Sequence, residues 1–298
     1  MDGENREPAM SEIRAADSSR PLPRARRLLV DRHTRVTRLT HWINLLCVAV
    51  LLMSGLQIFN AHPALYWGQS GADADRPAFE IGADDSGDGP PAGFTRIGSS
   101  IFTTTGILGV SRDASGEAVQ RGVPRWITLP SWRDLALGRR WHFFFAWLFV
   151  ANLLVYFAAG LASGHFWRDL LPSRRQLRPR FILRDIIDHL RLKFPRGEAA
   201  RHYNPLQKLT YLGVIGVLLP LMILTGLAMS PGMDAILPWL VDLFGGRQSA
   251  RTVHFIAASL ITLFVFVHVA MVLLAGPVNE LRAMITGRFA IFVENDHE

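Results

Sequence analysis

Four histidines lie inside long uncharged stretches of the sequence, where an ionisable side chain is costly and usually functional. They are His41, His142, His254 and His268. His254 and His268 are 14 residues apart. That spacing is roughly 3.9 helical turns, so both face one side of a helix and lie roughly 21 Å apart along its axis. One helix therefore presents an imidazole near each surface of a membrane.

The other titratable and sulfur-bearing residues limit the chemistry. The single cysteine, Cys47, excludes a disulfide framework, a cysteine-based zinc site, an iron–sulfur cluster and covalently attached c-type haem. The six remaining histidines fall in loops or at the edges of the uncharged stretches, and we expect them to be solvated or interfacial. They are His33, His62, His165, His189, His202 and His297.

Four uncharged blocks must position these histidines. They are residues 39–72, 141–167, 209–233 and 252–279. Each contains an apolar core long enough to cross a hydrocarbon layer, which takes about 20 helical residues. We predict helices over 41–60, 142–164, 207–230 and 251–275. A buried helix of a soluble protein would explain one such block, but four together indicate an all-α membrane protein with a four-transmembrane-helix bundle.

The distribution of arginine and lysine predicts the orientation. The chain carries 32 Lys and Arg against 25 Asp and Glu, for a net charge of +7. Nine arginines precede the first block, and ten Lys or Arg against four acids lie between the second and third. We therefore expect both termini to face the cytoplasm. Orientation and contact with anionic membrane lipid account for the basic balance, and no nucleic acid is needed.

We divide the chain into three parts. Residues 1–38 are predicted to be a disordered basic cytoplasmic tail, 39–285 the four-helix domain, and 286–298 a cytoplasmic C-terminal tail. Within the domain, residues 166–206 form a cytoplasmic loop. That loop contains an amphipathic stretch with Leu183, Ile186, Ile187 and Leu190 on one face, which predicts a helix lying in the membrane interface.

An insert spanning 61–140 is expected on the external side. Its length is uncommon for a loop unless the loop is functional or disordered. The first half, rich in Gly, Pro and Asp, is as consistent with a disordered segment as with an ordered one. Its acidic part could steer an external partner or be dispensable, and we expect deletion of 73–90 to weaken transfer to that partner only mildly. The second half ends in an aromatic and basic stretch at 125–140. Its Trp126, Trp132 and Arg133 are the expected docking residues for an external partner, with an aromatic belt at the membrane surface as the alternative.

Depth in the membrane predicts how the histidines pair. With the N-terminus inside, His41 and His268 lie near the cytoplasmic surface, whereas His142 and His254 lie near the external one. Two facing imidazoles could bind zinc, but a closed zinc site takes four ligands. Two histidines per site suit six-coordinate haem iron, because the porphyrin supplies the other four nitrogens. We therefore predict two b haems, one at each depth.

Glycine and arginine near the pairs fit haem as well. Gly55 follows His41 by 14 residues and would face the bundle at the depth of the external haem, where a missing side chain lets a porphyrin approach. A helix-packing glycine is the alternative. Arg38 flanks the cytoplasmic pair and Arg140 the external pair. Either could neutralise a haem propionate, although snorkelling at the interface is the commoner role of arginine.

The motifs around these residues resemble the bacterial cytochrome b561 or nickel-hydrogenase-type di-haem cytochrome b family, most closely its thiosulfate-reductase branch. They are RxTHW at 38–42, WHFFFAW at 141–147 and YNPLQKLTY at 203–211. The resemblance covers about 40–285. It implies that the four histidines are axial haem ligands in the same pairing. It also implies that quinone binds beside the cytoplasmic haem at Asn204, where Gln207 and Lys208 would present further donors.

The resemblance and the histidine pattern predict an electron-transfer subunit that is not catalytic alone. It would move electrons between the quinone pool and a periplasmic oxidoreductase, expected to be a molybdopterin enzyme. One alternative is a free-standing, quinone-reducing cytochrome b that oxidises a small diffusible species such as superoxide. Another is the b-type subunit of a nickel–iron hydrogenase.

Overall fold

A computed structural model describes residues 26–71, 75–87, 89–113, 115–164, 166–191 and 204–293. Four helices are long and apolar enough to cross a membrane, and the predicted helical membrane bundle is confirmed. We name them the first to fourth spans: Arg35–Phe59, Leu135–Ala162, Pro205–Ala228 and Arg247–Ala275.

The first two spans begin six or seven residues earlier than the apolar blocks predict. Thr34 caps the first span, its hydroxyl accepting a hydrogen bond from the Thr37 amide at 3.1 Å. Asp134 caps the second, accepting from the Leu137 amide at 2.8 Å. Such caps satisfy amides that the first turn leaves unpaired. His41 and His142 therefore lie nearly two turns inside their helices, and not at the start of them.

The third span is not a uniform α-helix. It consists of an α-helix over Pro205–Gly213, a π-helical turn over Val214–Leu218 and a second α-helix over Leu219–Ala228. Pro220 has no amide hydrogen to donate to the preceding turn, which explains why the ladder changes there. Two short helices, Pro231–Ile236 and Pro238–Leu243, connect this span to the fourth.

Polar and apolar side chains pack the bundle interior. A core cluster joins Cys47, Phe145, Phe149, Leu153, Leu219 and Ile261. On the second span, the buried Asn152 amide donates to the Thr40 carbonyl at 2.8 Å and to Asn44 Oδ1 at 2.7 Å. Both acceptors are on the first span, within three residues of His41. Asn152 therefore attaches the second span to the turn that carries this histidine.

The insert between the first and second spans is a folded β-subdomain, so the bundle is helical as predicted but the chain as a whole is not all-α. The described residues of its first half, whose order the sequence leaves open, form strands. The strands of the insert, numbered in chain order after β1 at Arg26–Asp31, are β2 (Ala64–Leu65), β3 (Phe79–Asp84), β4 (Ala92–Ile97), β5 (Ser100–Thr103), β6 (Gly109–Arg112) and β7 (Ala118–Arg121). The first four of these form an antiparallel sheet in the order β2-β3-β4-β5, β6 pairs with β7, and a 3-10 turn follows at Arg125–Ile127. Phe59, Leu65, Ile81 and Val123 form its core against the ends of the first and fourth spans. β3 is an interior strand of this sheet, so deletion of 73–90 would remove part of the folded insert, and the mild effect expected of that deletion on a partner stays a prediction.

The two chain ends also form structure. Strand β1, Arg26–Asp31, pairs antiparallel with β8, Arg288–Val293, and a helix at Pro277–Thr286 leads into β8. We call this pairing the terminal clasp. It corrects the prediction of disorder for 26–38 and of a plain tail after 286. The predicted tail residues 1–25 and 294–298 lie outside the described residues.

The loop between the second and third spans contains the predicted amphipathic helix. It spans Pro179–Leu190, after a π-helical turn at Phe166–Leu170. Leu183, Ile186 and Ile187 are exposed, as apolar side chains facing lipid would be. His165, His202 and residues 192–203 lie outside the described residues.

Candidate functional site

The four histidines form two facing pairs, one near each end of the bundle. His41 on the first span faces His268 on the fourth, with ring centroids 6.2 Å apart and an interplanar angle of 65°. His142 on the second span faces His254 on the fourth, with centroids 6.4 Å apart and an angle of 62°. The structure thus brings together the pairs that membrane depth predicts, and the fourth span contributes one ring to each.

Both separations fit a single metal ion held between two rings. A histidine nitrogen binds a metal about 2 Å away, and the ring centroid lies roughly 1 Å further back, so two opposed rings stand about 6 Å apart. Within the described ranges, no three or more His, Cys, Asp or Glu side chains are grouped to hold a metal. A metal between either pair would take its remaining ligands from a cofactor, as the iron of a haem does.

Two hydroxyl groups that the sequence pattern does not predict hold the pair of His142 and His254, which is the pair expected on the external side. Ser54 Oγ lies 3.1 Å from His142 Nδ1. Thr225 Oγ1 lies 2.9 Å from His254 Nδ1. Both hydroxyl residues are fully buried. The signal for them is present in the sequence as two similar tetrapeptides, MSGL at 53–56 and LTGL at 224–227.

The predicted glycine lies against the external pair. A Cβ built on Gly55 would stand 3.4 Å from His142 Cε1, so the first span approaches this ring where it has no side chain. Gly226 on the third span repeats the arrangement, with 3.6 Å from its built Cβ to His254 Cε1. This second glycine also follows a hydroxyl residue and was not predicted.

The two predicted arginines differ in their surroundings. Arg38 donates from Nη1 to the carbonyl of Ile285 at 2.5 Å, while its buried Nε has no partner among the described residues. A buried, unpartnered guanidinium N–H one turn before His41 fits a cofactor carboxylate near the cytoplasmic pair. Arg140 is exposed on the second span. Arg251 donates to the backbone carbonyl of His62 at 2.5 Å and so holds the insert against the fourth span.

The predicted quinone residues lie at the start of the third span. Asn204 and Gln207 form a capping box, in which Asn204 Oδ1 accepts from the Gln207 amide at 2.8 Å. Gln207 Oε1 accepts from the Asn204 amide at 3.3 Å. Lys208 follows in the first turn and is half-buried. The capping role expected of Asn204 is therefore present, whereas quinone binding stays a prediction.

A buried arginine joins the insert to the bundle. Arg121 at the end of β7 donates from Nη2 to Gln57 Oε1 at 2.7 Å and to Thr128 Oγ1 at 2.8 Å. Burial, with two neighbouring arginines, lowers the pKa of its guanidinium below the ordinary value. Gln57 in turn donates to the carbonyl of Trp132 at 2.8 Å. This network fixes the segment that leads into the second span.

Two facing pairs of histidines at opposite ends of a four-span bundle are the arrangement expected of a membrane cytochrome b. The chain belongs to the prokaryotic cytochrome b561 family, whose model matches residues 32–287. It is therefore a multi-pass membrane protein that binds haem b and serves electron transfer.

One curated relative is similar along most of the chain. It is named "Putative protein-methionine-sulfoxide reductase subunit YedZ1" and comes from Azospira oryzae. It is 31% identical over 255 residues, which cover 86% of this chain and 96% of the relative. No solved structure matches the chain at a significant level.

Proposed function

We propose that this protein is a di-haem cytochrome b that carries electrons between the quinone pool and an oxidoreductase on the external side of a bacterial inner membrane. The observation that carries the proposal is the pair of matched sites. One helix supplies His254 and His268, whose ring centroids lie 6.4 Å from that of His142 and 6.2 Å from that of His41, respectively.

Each site has its own protein ligands in this proposal. His41 and His268 would hold the cytoplasmic haem, and His142 and His254 the external one. Haem b supplies one-electron redox chemistry when bound, tuned by its axial ligands and their hydrogen bonds. Gly55 and Gly226 let the backbones of the first and third spans approach the external rings.

The orientation follows from charge and from where the structured ends lie. The terminal clasp lies at the same end of the bundle as His41, because Trp42 donates to the carbonyl of Met284 at 3.2 Å. The insert packs on the opposite end, near His142 and His254. The Lys and Arg excess at the clasp end favours the cytoplasm for both termini. The insert then faces outward.

The partner is proposed from the relative and from the insert. The Azospira oryzae relative is named as a subunit of a protein-methionine-sulfoxide reductase. A subunit of this kind needs a catalytic partner, which we take to be a molybdopterin oxidoreductase on the external side. The name also favours this reading over a nickel–iron hydrogenase subunit. A folded insert with Trp126 76% and Trp132 61% exposed favours docking over a free-standing enzyme.

The quinone site is proposed at the other end. Asn204, Gln207 and Lys208 lie at the start of the third span, where the orientation above puts the cytoplasmic surface. Amide and ammonium groups donate hydrogen bonds, which a quinone carbonyl accepts. Electrons from quinol would thus enter beside His41 and His268, with Asn204 acting both as helix cap and as quinone contact.

Haem content tests the central claim. The purified protein should contain two b haems per chain, with low-spin spectra typical of two histidine ligands. Substituting His41 or His268 by alanine should remove one haem, and substituting His142 or His254 the other. Haem quantified per chain and the absorption spectrum are the measurements.

A histidine outside the pairs provides the matched control. His62→Ala in the insert should retain both haems, because the His62 side chain lies in neither pair. A wild-type protein that holds a single haem after gentle extraction would contradict the proposal.

A further inference from the structure

Two hydroxyl–glycine pairs contact the external histidines in the same way. Ser54–Gly55 on the first span contacts His142, and Thr225–Gly226 on the third span contacts His254. In both cases the hydroxyl lies at hydrogen-bond distance from Nδ1. The next residue is a glycine whose missing side chain faces the same ring. The third span carries no haem ligand of its own, so this contact gives it a role in the site.

The direction of these hydrogen bonds can be assigned from the helix backbone. The hydroxyl of Ser54 lies 2.6 Å from the carbonyl oxygen of Val50, and that of Thr225 lies 2.7 Å from that of Leu221. A carbonyl only accepts, so each hydroxyl donates its hydrogen there. Its lone pairs remain to accept from histidine Nδ1–H. The proton is thereby fixed on Nδ1, and the lone pair of Nε2 is left for a metal.

The glycines fix where the rings stand. A methyl group on Gly226 would be in ordinary contact with His254 Cε1 at 3.6 Å, and one on Gly55 would be slightly tight at 3.4 Å. A larger side chain at either position would occupy the space of the ring. Each imidazole is therefore located by a helix backbone on one side and by a hydroxyl group at its nitrogen.

The cytoplasmic pair is held differently. In the part of the chain that the structure describes, the nearest ring partners of this pair are aromatic. Trp42 lies edge-on to His41 at 5.5 Å, and Phe264 stacks on His268 at 5.8 Å. No hydroxyl contact to either ring occurs among these described residues. The two sites thus differ in the hydrogen bonding of their ligands.

We propose that Ser54–Gly55 and Thr225–Gly226 are positioning residues that lower the reduction potential of the external haem and hold that haem more firmly. This inference rests on the proposed function, since it concerns a haem between His142 and His254. An acceptor at Nδ1 makes the ligating nitrogen more basic, and a more basic ligand favours oxidised iron. Removing the hydroxyl group leaves the backbone of Leu51 or Met222 as the remaining hydrogen-bond partner of the ring, so the potential of that haem alone should rise.

The hydroxyl groups are tested by Ser54→Ala and Thr225→Val. Each should shift one of the two midpoint potentials upward and leave the other unchanged. The shifted haem should be the one that His142→Ala lacks. Loss of an outer hydrogen bond of this kind typically weakens metal affinity about 10- to 100-fold, so the same haem should also be released faster into an acceptor protein. Selective loss of that haem would support the proposal equally.

Thr262→Val is the matched control. Thr262 makes the same bond to the helix carbonyl of Ala258, at 2.8 Å, on the fourth span, without a contact to a histidine. It should leave both potentials unchanged. Thr225→Ser, which restores a hydroxyl group, should return the potential toward wild type. That rescue keeps the test decisive if Ser54→Ala folds poorly.

The two hypotheses fail in different ways. A wild-type protein without two haems would overturn the proposed function. A wild-type protein with two haems, combined with unchanged potentials and release rates in both Ser54→Ala and Thr225→Val, would overturn only this inference. Gly226→Leu adds a steric test, and it should remove the external haem while the cytoplasmic spectrum remains.

Discussion

Asn204 has two functions that different substitutions can separate. Its side chain caps the third span by accepting from the Gln207 amide, and we propose that it also contacts quinone. Serine caps helices about as well as asparagine but has no amide group, whereas alanine loses the cap at about 1 kcal/mol. Asn204→Ser should therefore slow quinol-driven haem reduction while leaving stability and haem content intact.

Asn204→Ala and Lys208→Ala complete this test. The first should slow reduction and lower stability together, whereas the second removes a charge without touching the cap. Reduction rates by quinol, measured beside the rate with a small chemical reductant, separate quinone binding from damage to the haem sites. Wild-type rates with quinol in both Asn204→Ser and Lys208→Ala would place the quinone site elsewhere.

Ligating histidines are easier to predict from the sequence than the hydroxyl groups that support them. His41, His142, His254 and His268 stand out because an ionisable group in an apolar run needs a reason. Their depth alone predicts the pairing. Ser54 and Thr225 escape notice because a hydroxyl residue in a membrane helix commonly bonds only its own backbone. That each also reaches a histidine depends on how the spans rotate against one another.

The terminal clasp holds together the two spans that carry the cytoplasmic pair. β1 leads into the first span and β8 follows the fourth, and Phe289 and Ile291 of β8 are buried beneath the pairing. Truncation after residue 287 removes β8. The first and fourth spans should then separate more readily at this end, so the cytoplasmic haem should be lost before the external one.

Truncation after residue 293 is the matched control, because it keeps the whole of β8. Haem content and difference spectra during mild warming in detergent measure the order of loss. If both truncated proteins release the two haems as the full chain does, the clasp does not support the cytoplasmic site.

The elements that the sequence does not predict are the short ones. The four membrane helices follow from length and hydropathy, since no other structure buries such runs. The strands of the insert have two to six residues each and contain Gly and Asp, such as Gly82 and Asp84 in β3. Local propensity is weak over such lengths. Their pairing is decided by contact with Phe59 and Phe255 at the ends of the spans, which a local pattern does not reveal.

The two ends of the bundle carry different structural elements. The clasp, the amphipathic helix Pro179–Leu190 and the proposed quinone residues belong to the end predicted to be cytoplasmic. The β-subdomain covers the end with His142 and His254. An electron carrier between a membrane-soluble donor and an external acceptor needs this division, because each reaction partner must reach its own haem.

An external partner is expected to meet the surface of the insert that carries Trp126 and Trp132. Trp126 and Trp132 are strongly exposed, yet the segment that carries them is held by the network of Arg121 and Gln57. Exposed aromatic side chains on a rigid backbone are suited to anchor an interface, because little entropy is lost on binding. Arg133, also expected in the dock, donates to the carbonyl of Gln120, so its replacement would disturb β7.

The sharper variant is therefore Trp126→Ala with Trp132→Ala, leaving Arg133 in place. It should cut electron transfer to the catalytic partner at least tenfold, equivalent to about 1.4 kcal/mol of lost docking free energy, while quinol still reduces both haems at the wild-type rate. Trp67→Ala, at an exposed tryptophan elsewhere on the insert, is the control and should transfer electrons to the partner at the wild-type rate.

If Trp67→Ala blocks transfer and the double variant does not, the partner docks on the other side of the insert. If neither variant slows transfer, the tryptophans serve as a membrane belt, and a free-standing enzyme that oxidises a diffusible species becomes the better account of the external haem.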